Sequence, residues 1–329
     1  MKYFSLGKTD VQISKLGFGA WAIGGGTWWG DVDDELSKST IHEALELGFN
    51  LIDTAPVYGF GHSESIVGQA VQGRRDKVII STKCGLNWDP ARQGSPQLSR
   101  DGYNISRNLS AASIQKDLED SLTRLGTDYV DIYITHWQAT PDFPTPISET
   151  MGKLMEMKQA GKIRAIGASN VDADMIREYL KYGQLDIIQQ RYSMLDRKDE
   201  PLLKLCEEND ISFMAYSPLE QGLFTGKFTR DYKIPEGSVR EMRVWFKPQN
   251  FQIAWDMMDK WGPICKEYGC TMSQLAIAWT AAQSPNLQVL TGARKPEQIK
   301  DNAGGADINL SHGTVALMRE MAEAAVAVE

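Results

Sequence analysis

Ionisable side chains stand at the ends of three predicted strands that follow one another along the chain. Asp53 ends the apolar run LID, Lys83 ends IISTK, and His136 follows DIYIT. A charged group at the end of an apolar strand is costly unless it is paired or has a chemical role. Tyr58 lies five residues after Asp53, so these four side chains form a set that could hold and move a proton.

The set allows a chemical and a structural interpretation. A lysine ammonium near a tyrosine stabilises the phenolate, so we expect Lys83 to lower the pKa of Tyr58 from its ordinary value of about 10. Asp53 would keep Lys83 charged and oriented. The same spacing also fits a structural salt bridge between Asp53 and Lys83, with Tyr58 as an ordinary loop aromatic, and both interpretations stay open on spacing alone.

The elements that must position these residues alternate between short strands and helices. Counting from Leu16, the sequence predicts eight core strands, nearly all followed by a helix. Buried parallel strands separated by helices are typical of α/β proteins. Eight such units favour a closed (β/α)8 TIM barrel, in one domain over residues 1–329, rather than an open sheet. The predicted strands are Leu16–Trp21, Phe49–Asp53, Val78–Lys83, Tyr129–Thr135, Ile163–Ala168, Asp186–Gln190, Ile211–Tyr216 and Asn286–Leu290.

Three connecting segments stand out from the regular alternation. Short alternating runs on either side of Gly7–Asp10 predict an N-terminal β-hairpin. The connections Gly85–Leu109, after the third strand, and Ser217–Asn250, after the seventh, are too long for tight loops. Loops of this length are usually functional, and both leave the strand ends at which barrel enzymes carry their active sites.

Tryptophans concentrate in the segments predicted at that same mouth. Aromatic side chains there suit an apolar pocket, so we expect a substrate pocket formed by Trp21, Trp29, Trp88 and Trp137. Trp28 lies in the same region, and for Trp28 and Trp29 individually a role in capping the barrel core is at least as plausible.

Composition and motifs exclude several classes of protein. With 35 Lys and Arg against 43 Asp and Glu, the net charge of −8 argues against a general binder of nucleic acid or membrane surfaces. No apolar run approaches the roughly 20 residues that span a bilayer, and the start of the chain lacks the apolar stretch of a signal peptide. We therefore expect a cytoplasmic protein. The four cysteines have no C-x-x-C spacing, so neither a metal site nor a disulfide framework is predicted.

Longer motifs carry a family resemblance. The segments LIDTAPVYG, IISTKCG, DIYITHWQ and IRAIGASN, in this order, resemble the aldo-keto reductases, which are NAD(P)H-dependent carbonyl reductases with a (β/α)8 barrel. The resemblance runs from LGFGAW near the start to ARKPEQIKDN near the end. It implies that Tyr58 is the general acid, that Asp53 and Lys83 tune it, and that His136 orients the carbonyl group.

The resemblance also implies where a nicotinamide cofactor would lie. Ser169, Asn170 and Gln190 would hold the carboxamide, and Tyr216 would stack on the nicotinamide ring. The pyrophosphate would lie under the segment after the seventh strand, and the adenosine beyond the eighth. The implied cofactor positions are Trp21, Ser169, Asn170, Gln190, Tyr216, Ser217, Leu219, Gln221, Gly222, Gly292, Arg294, Gln298 and Asn302.

The adenosine end departs from the better-studied mammalian pattern. The Lys-Ser pair of those members is replaced here by Gly292-Ala293, and their later Arg by Gln298. Together with the insertion after Lys83, this looks more like the bacterial branch related to potassium-channel β subunits. Arg294 with Lys295 could pair with a 2′-phosphate, which favours NADPH over NADH.

The expected activity is reduction of an aromatic, aliphatic or sugar aldehyde, or of a ketone, with Tyr58 as proton donor. Two related readings are a sugar dehydrogenase working in the oxidative direction and an NADP-binding regulatory subunit with little turnover. The intact set of ionisable residues argues against a pure binding module. A cofactor-free lyase or isomerase would need a further base or a metal cluster, which the sequence does not offer.

Overall fold

Short strands alternate with helices along the whole of the computed structural model, which describes residues 1–328. The strands, in chain order, are β1 (Tyr3–Ser5), β2 (Gln12–Ser14), β3 (Leu16–Gly19), β4 (Leu51–Asp53), β5 (Ile79–Cys84), β6 (Leu86–Asn87), β7 (Ser95–Arg100), β8 (Tyr103–Arg107), β9 (Val130–Thr135), β10 (Ile163–Ser169), β11 (Ile187–Arg191), β12 (Ser212–Tyr216) and β13 (Leu287–Gly292). Eight of them, β3, β4, β5 and β9 to β13, pair in parallel and in chain order until β13 meets β3. The predicted (β/α)8 barrel is confirmed.

Helices cover the outside of the barrel and its mouth. They are α1 (Gly26–Trp29), α2 (Asp34–Glu46), α3 (His62–Ala70), α4 (Ala111–Leu125), α5 (Ile147–Gln159), α6 (Ala173–Tyr182), α7 (Pro201–Glu208), α8 (Pro248–Met258), α9 (Gly262–Tyr268), α10 (Met272–Ala281), α11 (Pro296–Gly304) and α12 (His312–Ala324). A continuous helix over Phe251–Tyr268 would fit the apolar pattern, but the chain is divided there into α8, a 3₁₀ turn and α9. Pro263 explains the break, because it has no amide N–H to continue the hydrogen bonds of α8.

The apolar spacing of the helices explains how they pack on the barrel. In α4, the apolar Ile114, Leu118 and Leu125 are buried together with the polar Ser113, Asp117 and Ser121. Their spacing places them on one side of the helix, as expected for a face with a 3.6-residue period. The helix ends at Gly126, whose φ of 64° is left-handed and suits glycine. Such helices hold the strands in one register, and the ends of the strands therefore stay fixed relative to one another.

An N-terminal hairpin closes the floor of the barrel. Strands β1 and β2 pair antiparallel, and Leu6, Val11 and Ile13 are buried in one apolar cluster with side chains from six barrel strands. The Gly7 amide donates to the Ser212 hydroxyl at 2.9 Å, at the beginning of β12. The predicted hairpin is therefore present, and it is tied to residues about 200 positions further along the chain.

The two long connections lie over the opposite, open end. The first, expected as a loop, contains the three-stranded antiparallel sheet β6-β8-β7, with Asp101 and Gly102 in left-handed conformations at the turn between β7 and β8. The second contains short 3₁₀ turns at Glu220–Thr225, Val239–Met242 and Val244–Phe246. Within residues 1–328, no helix combines the length and the apolar character needed to cross a membrane.

Candidate active site

A buried ion pair lies at the centre of the open end of the barrel. The Lys83 ammonium donates to Asp53 Oδ1 at 2.7 Å and to the Thr54 carbonyl oxygen at 2.7 Å. Ser81 and Gln189 donate to the other carboxylate oxygen, each at 2.9 Å. The lysine is fully buried and Asp53 is 3% exposed, so the two charges are held by each other and by neutral donors rather than by water.

Tyr58 lies directly above this pair. Lys83 Nζ is 4.8 Å from the centroid of the Tyr58 ring, close enough for a cation–π contact. Gly59, with φ of 64°, holds the tyrosine loop against the first loop of the barrel. A Cβ at Gly59 would stand 2.2 Å from the Gly24 carbonyl oxygen, so only glycine allows this approach.

His136 completes the group on the strand next to that of Lys83. Its ring lies edge-on to Tyr58, with centroids 5.8 Å apart and planes at 83°. The Asn170 side-chain amide donates to the His136 carbonyl oxygen at 2.9 Å, and the Tyr216 hydroxyl donates to Asn170 Oδ1 at 2.9 Å. The structure therefore brings together all four ionisable residues that the sequence singles out.

The protonation pattern differs from the expectation for Tyr58. Its pKa is raised well above the ordinary value by burial and, second, by the negative charge of Asp53. The prediction that Lys83 lowers the pKa of Tyr58 is therefore wrong for the protein without a bound cofactor. The reason is that the charge of Lys83 is largely balanced by the Asp53 carboxylate that it contacts. Burial lowers the pKa of Lys83 against the opposing effect of Asp53. Burial and the charge of Lys83 lower the pKa of His136 well below its ordinary value.

A cavity of about 610 Å³ opens above these residues. Trp21, Trp28, Trp29 and Trp137 line it, whereas Trp88 does not. Trp88 instead packs edge-on against Phe60 at a centroid distance of 5.3 Å, behind the cavity wall. The expected aromatic pocket is thus present, with Trp28 in the place that the sequence interpretation gave to Trp88.

Three of these indoles carry buried N–H groups that have no acceptor within the described part of the chain. They are the Nε1 atoms of Trp21, Trp28 and Trp29. The Trp21 ring makes edge contacts with both neighbours, at centroid distances of 5.7 and 5.2 Å, so the three N–H groups belong to one aromatic wall. A buried donor without a partner carries a desolvation cost, and a bound molecule with oxygen atoms would relieve it.

From Tyr58 the cavity continues as a groove toward α11. Apart from Gln190, every position implied to bind the cofactor contributes to its lining. The same lining contains four cationic side chains that come from the long connection after β12 or follow β13: Lys227, Arg240, Arg243 and Arg294. In a chain with a net charge of −8, this concentration suits a pyrophosphate anion. The buried Arg243 Nε and Gln221 Oε1 have no partner among the described residues, which also fits a polar ligand.

The glutamine that faces the cavity is Gln189 rather than the predicted Gln190. Gln189 lines the cavity and contacts Asp53. The Gln190 amide faces the outside of the barrel, where it donates to the Val171 carbonyl oxygen at 2.6 Å and accepts from the Val171 amide at 3.2 Å. Successive side chains in a strand point to opposite faces, so only one of the two can reach the mouth.

In the segment after β13, the side chain of Arg294 already has hydrogen-bond partners. Its guanidinium donates to the carbonyl oxygens of Trp29, at 2.8 Å, and Asp31, which joins the segment after β13 to the first loop of the barrel. Gln298 Oε1 accepts from the Arg294 amide at 2.8 Å. Asp301, which the sequence interpretation did not single out, places a carboxylate in the same lining.

Hydrogen bonds join the three segments that cover the cavity, which are the connections after β3, after β5 and after β12. Asp101, at the turn between β7 and β8, accepts from the Thr27 hydroxyl, and Arg100 donates to the Gly237 carbonyl oxygen. Arg240 reaches back to the Gln221 carbonyl oxygen at 3.0 Å and lies over the Trp29 ring. Among residues 1–328 no cluster of His, Cys, Asp or Glu side chains is arranged to hold a metal ion.

A closed parallel barrel with a lysine–aspartate pair, a tyrosine and a long cationic groove at its open end defines a nicotinamide-dependent oxidoreductase. The model of the aldo/keto reductase family matches residues 15–323, and the chain belongs to this family.

Relatives of known name span nearly the whole chain. It is 52% identical over 327 residues to the NADH-specific methylglyoxal reductase of Escherichia coli, covering 98% of this chain and 99% of that protein. It is 33% identical to a probable voltage-gated potassium channel subunit beta of Arabidopsis thaliana, with 94% and 92% covered. The structure of the glycerol dehydrogenase AKR11B4 from Gluconobacter oxydans superposes with a TM-score of 0.88 at 33% identity, covering 98% and 96% of the two chains. These similarities confirm the predicted family and its link to channel β subunits.

Proposed function

We propose that the protein reduces small aldehydes that carry a second oxygen next to the carbonyl, such as 2-oxoaldehydes and 2-hydroxyaldehydes. The observation that carries this proposal is the arrangement of Tyr58 above Lys83 in a cavity lined by Trp21, Trp28 and Trp29. The buried N–H groups of these three indoles have no acceptor among the described residues. The first oxygen would meet Tyr58, and the second would accept from the indole wall.

In this proposal Tyr58 donates the proton to the carbonyl oxygen. Its raised pKa keeps the phenol protonated at neutral pH, which suits a proton donor better than a base and supports reduction over alcohol oxidation. Lys83 and a neutral His136 stabilise the negative charge that develops on the same oxygen, by charge and by hydrogen bonding. The nicotinamide cofactor, when bound, supplies the hydride, and the enclosed aromatic wall keeps bulk water away.

We further propose NADH as the preferred cofactor, in place of the NADPH that the sequence favours. The guanidinium expected to meet the 2′-phosphate contacts the carbonyl oxygens of Trp29 and Asp31. The carboxylate of Asp301 lines the same end and would repel a phosphate dianion. The name of the E. coli relative, an NADH-specific reductase, agrees with this preference.

The test is consumption of NADH and of NADPH by the purified protein with methylglyoxal, glyceraldehyde and propanal. We expect turnover with the first two, weaker turnover with propanal, and higher kcat/KM with NADH. Tyr58→Phe should reduce kcat by about 10²–10⁴-fold, the usual contribution of a general acid, while the Kd for NADH stays unchanged.

Tyr103→Phe is the matched control, because Tyr103 is 44% exposed on β8 and does not line the cavity. Equal losses in the two variants would contradict the role of Tyr58. Equal kcat/KM for propanal and methylglyoxal would contradict the role of the second oxygen. Tight cofactor binding without turnover on any carbonyl compound would instead favour a regulatory subunit.

A further inference from the structure

Two of the four cysteines lie side by side at the end of α9. The Cys270 amide donates to the Cys265 carbonyl oxygen at 2.9 Å. This bond is that of a Schellman motif, in which the side chains at these two positions frequently contact each other. The tight return of the chain is made by Gly269, whose φ is 61°. Both side chains are partly exposed, whereas Cys84 and Cys206 are buried.

The pair is linked to the adenosine end of the groove by adjacent residues. Thr271 follows Cys270 and caps α10 in a reciprocal arrangement with Gln274. The Thr271 hydroxyl donates to Asp301 Oδ1 at 2.9 Å, and the Gln274 side chain donates to the Asp301 carbonyl oxygen at 3.0 Å. Since Asp301 lines the groove, these hydrogen bonds connect the Cys270–Thr271 segment directly to the groove lining.

We propose that Cys265 and Cys270 form a reversible intramolecular disulfide, and that its formation weakens binding of the nicotinamide dinucleotide. A disulfide requires a sulfur–sulfur distance of about 2.05 Å, shorter than any contact between two thiols that are not bonded to each other. Closing the bond draws Cys270 toward α9 and shifts the Thr271 cap that positions Asp301.

The oxidant is a hydroperoxide. The Cys270 thiolate attacks one peroxide oxygen, the O–O bond breaks, and the sulfenic acid forms with release of an alcohol, or of water from hydrogen peroxide. The Cys265 sulfur then attacks the Cys270 sulfur and a water molecule leaves. The two thiols lose two electrons and two protons in total, and the peroxide is reduced.

The surroundings of the two thiols indicate which of them ionises and reacts with the peroxide first. Burial and the neighbouring Cys270 sulfur raise the pKa of Cys265 to about 11. Burial also raises the pKa of Cys270, but the hydrogen bond from Cys265 opposes that rise. Cys270 is therefore the sulfur that ionises first, and oxidation should become faster as the pH rises.

Trypsin provides a direct readout, because it cleaves after Lys266, between the two cysteines. The full-length protein is treated with hydrogen peroxide, the remaining thiols are blocked, and the digest is analysed by mass spectrometry without reduction. We expect peptide 261–266 cross-linked to peptide 267–294, and release of both peptides by dithiothreitol. The Kd is measured with whichever of NADH and NADPH binds the reduced protein, so that a wrong cofactor preference leaves this test intact.

Oxidation should raise that Kd by about threefold to tenfold, the range expected for a disturbed helix cap. Cys270→Ser should show neither the cross-link nor the change in Kd. Cys206→Ser, which replaces a buried cysteine of α7, should show both. Oxidation of either sulfur to a sulfinic acid without a cross-link overturns the proposal, and so does a cross-link that leaves the Kd unchanged.

Discussion

The two ends of the cofactor groove are built in different ways. At the nicotinamide end, Asp53 and Lys83 lie on adjacent barrel strands whose register pairs Asp53 with Ser81 and Lys83 with Ile134. At the adenosine end, Arg294 lies outside the strands and reaches the first loop of the barrel. The chemistry therefore depends on strand register, which the whole barrel enforces, whereas cofactor choice depends on a few contacts between loops.

The variant Lys83→Met should have the largest effect of those considered, on both the free energy of unfolding and kcat. Removing one partner of a buried ion pair leaves the other charge uncompensated, which typically destabilises a protein by about 3–5 kcal/mol. We expect a loss of this size in urea unfolding, together with a large fall in kcat. The double variant Asp53→Asn/Lys83→Met should recover most of the stability but not the activity.

Lys158→Met is the matched control for that variant. Lys158 contacts the buried Asp186 at 2.9 Å, away from the cavity, so it should lose stability and keep kcat. If both lysine variants lost turnover equally, the activity of Lys83→Met would report only the stability of the barrel.

A smaller effect is expected for the pH dependence of stability, through His136 at the same end of the groove. Burial and the charge of Lys83 lower the pKa of His136 well below its ordinary value of about 6.5. The folded protein therefore keeps His136 neutral at a pH at which the unfolded chain takes up a proton. The unfolded state then binds more protons below about pH 6.5, and stability falls with falling pH by at most about 1.4 kcal/mol per unit.

This pH dependence is measured by comparing urea unfolding above and below that pH. His136→Gln should flatten the dependence, whereas His312→Gln, at an exposed helix start, should leave it unchanged. An identical pH profile of stability for the wild type and His136→Gln would show that His136 does not contribute to the pH dependence.

The smallest expected effect belongs to the adenosine end. Arg294→Ala should weaken the binding of NADH and of NADPH by similar factors, about threefold to tenfold. The reason is that it removes the contacts of Arg294 with the Trp29 and Asp31 carbonyl oxygens, which hold this end of the groove together for either cofactor. Titration of each cofactor measures this. Arg230→Ala is the control, since Arg230 pairs with Asp256 and Asp259 outside the groove. Selective loss of NADPH in Arg294→Ala would restore the assignment of Arg294 to the 2′-phosphate.

The sequence predicted the barrel and the proximity of its ionisable strand ends because both follow from regular patterns. Apolar strands with ionisable ends identify Asp53, Lys83 and His136, and the parallel topology brings those ends together. The sequence could not predict the pKa of Tyr58, because its shift depends on how Asp53 and Lys83 balance each other once both are buried.

The predictions of cavity-lining residues were wrong in two situations. In one, neighbouring residues of a strand face opposite sides of the barrel, and in the other, the residue lies in a connection between strands. Gln189 and Gln190 are chemically identical in the sequence, and only the register of β11 decides which one faces inward. Trp28 lies in the short helix α1 and Trp88 directly after β6, both within connections between barrel strands whose course the apolar pattern does not fix. The sheet formed by β6, β7 and β8 did leave a signal, since Asp101-Gly102 is a typical hairpin turn between alternating runs.

The N-terminal hairpin has a consequence for the order of folding. Leu6, Val11 and Ile13 are buried against strands as distant as β13, so the floor of the barrel is completed only after nearly the whole chain has been synthesised. Contacts between residues so far apart in sequence slow folding. The entropy cost of closing a long loop has to be met before the contact contributes any stabilisation. During translation the apolar residues of the hairpin therefore stay exposed until the later strands of the barrel have been synthesised.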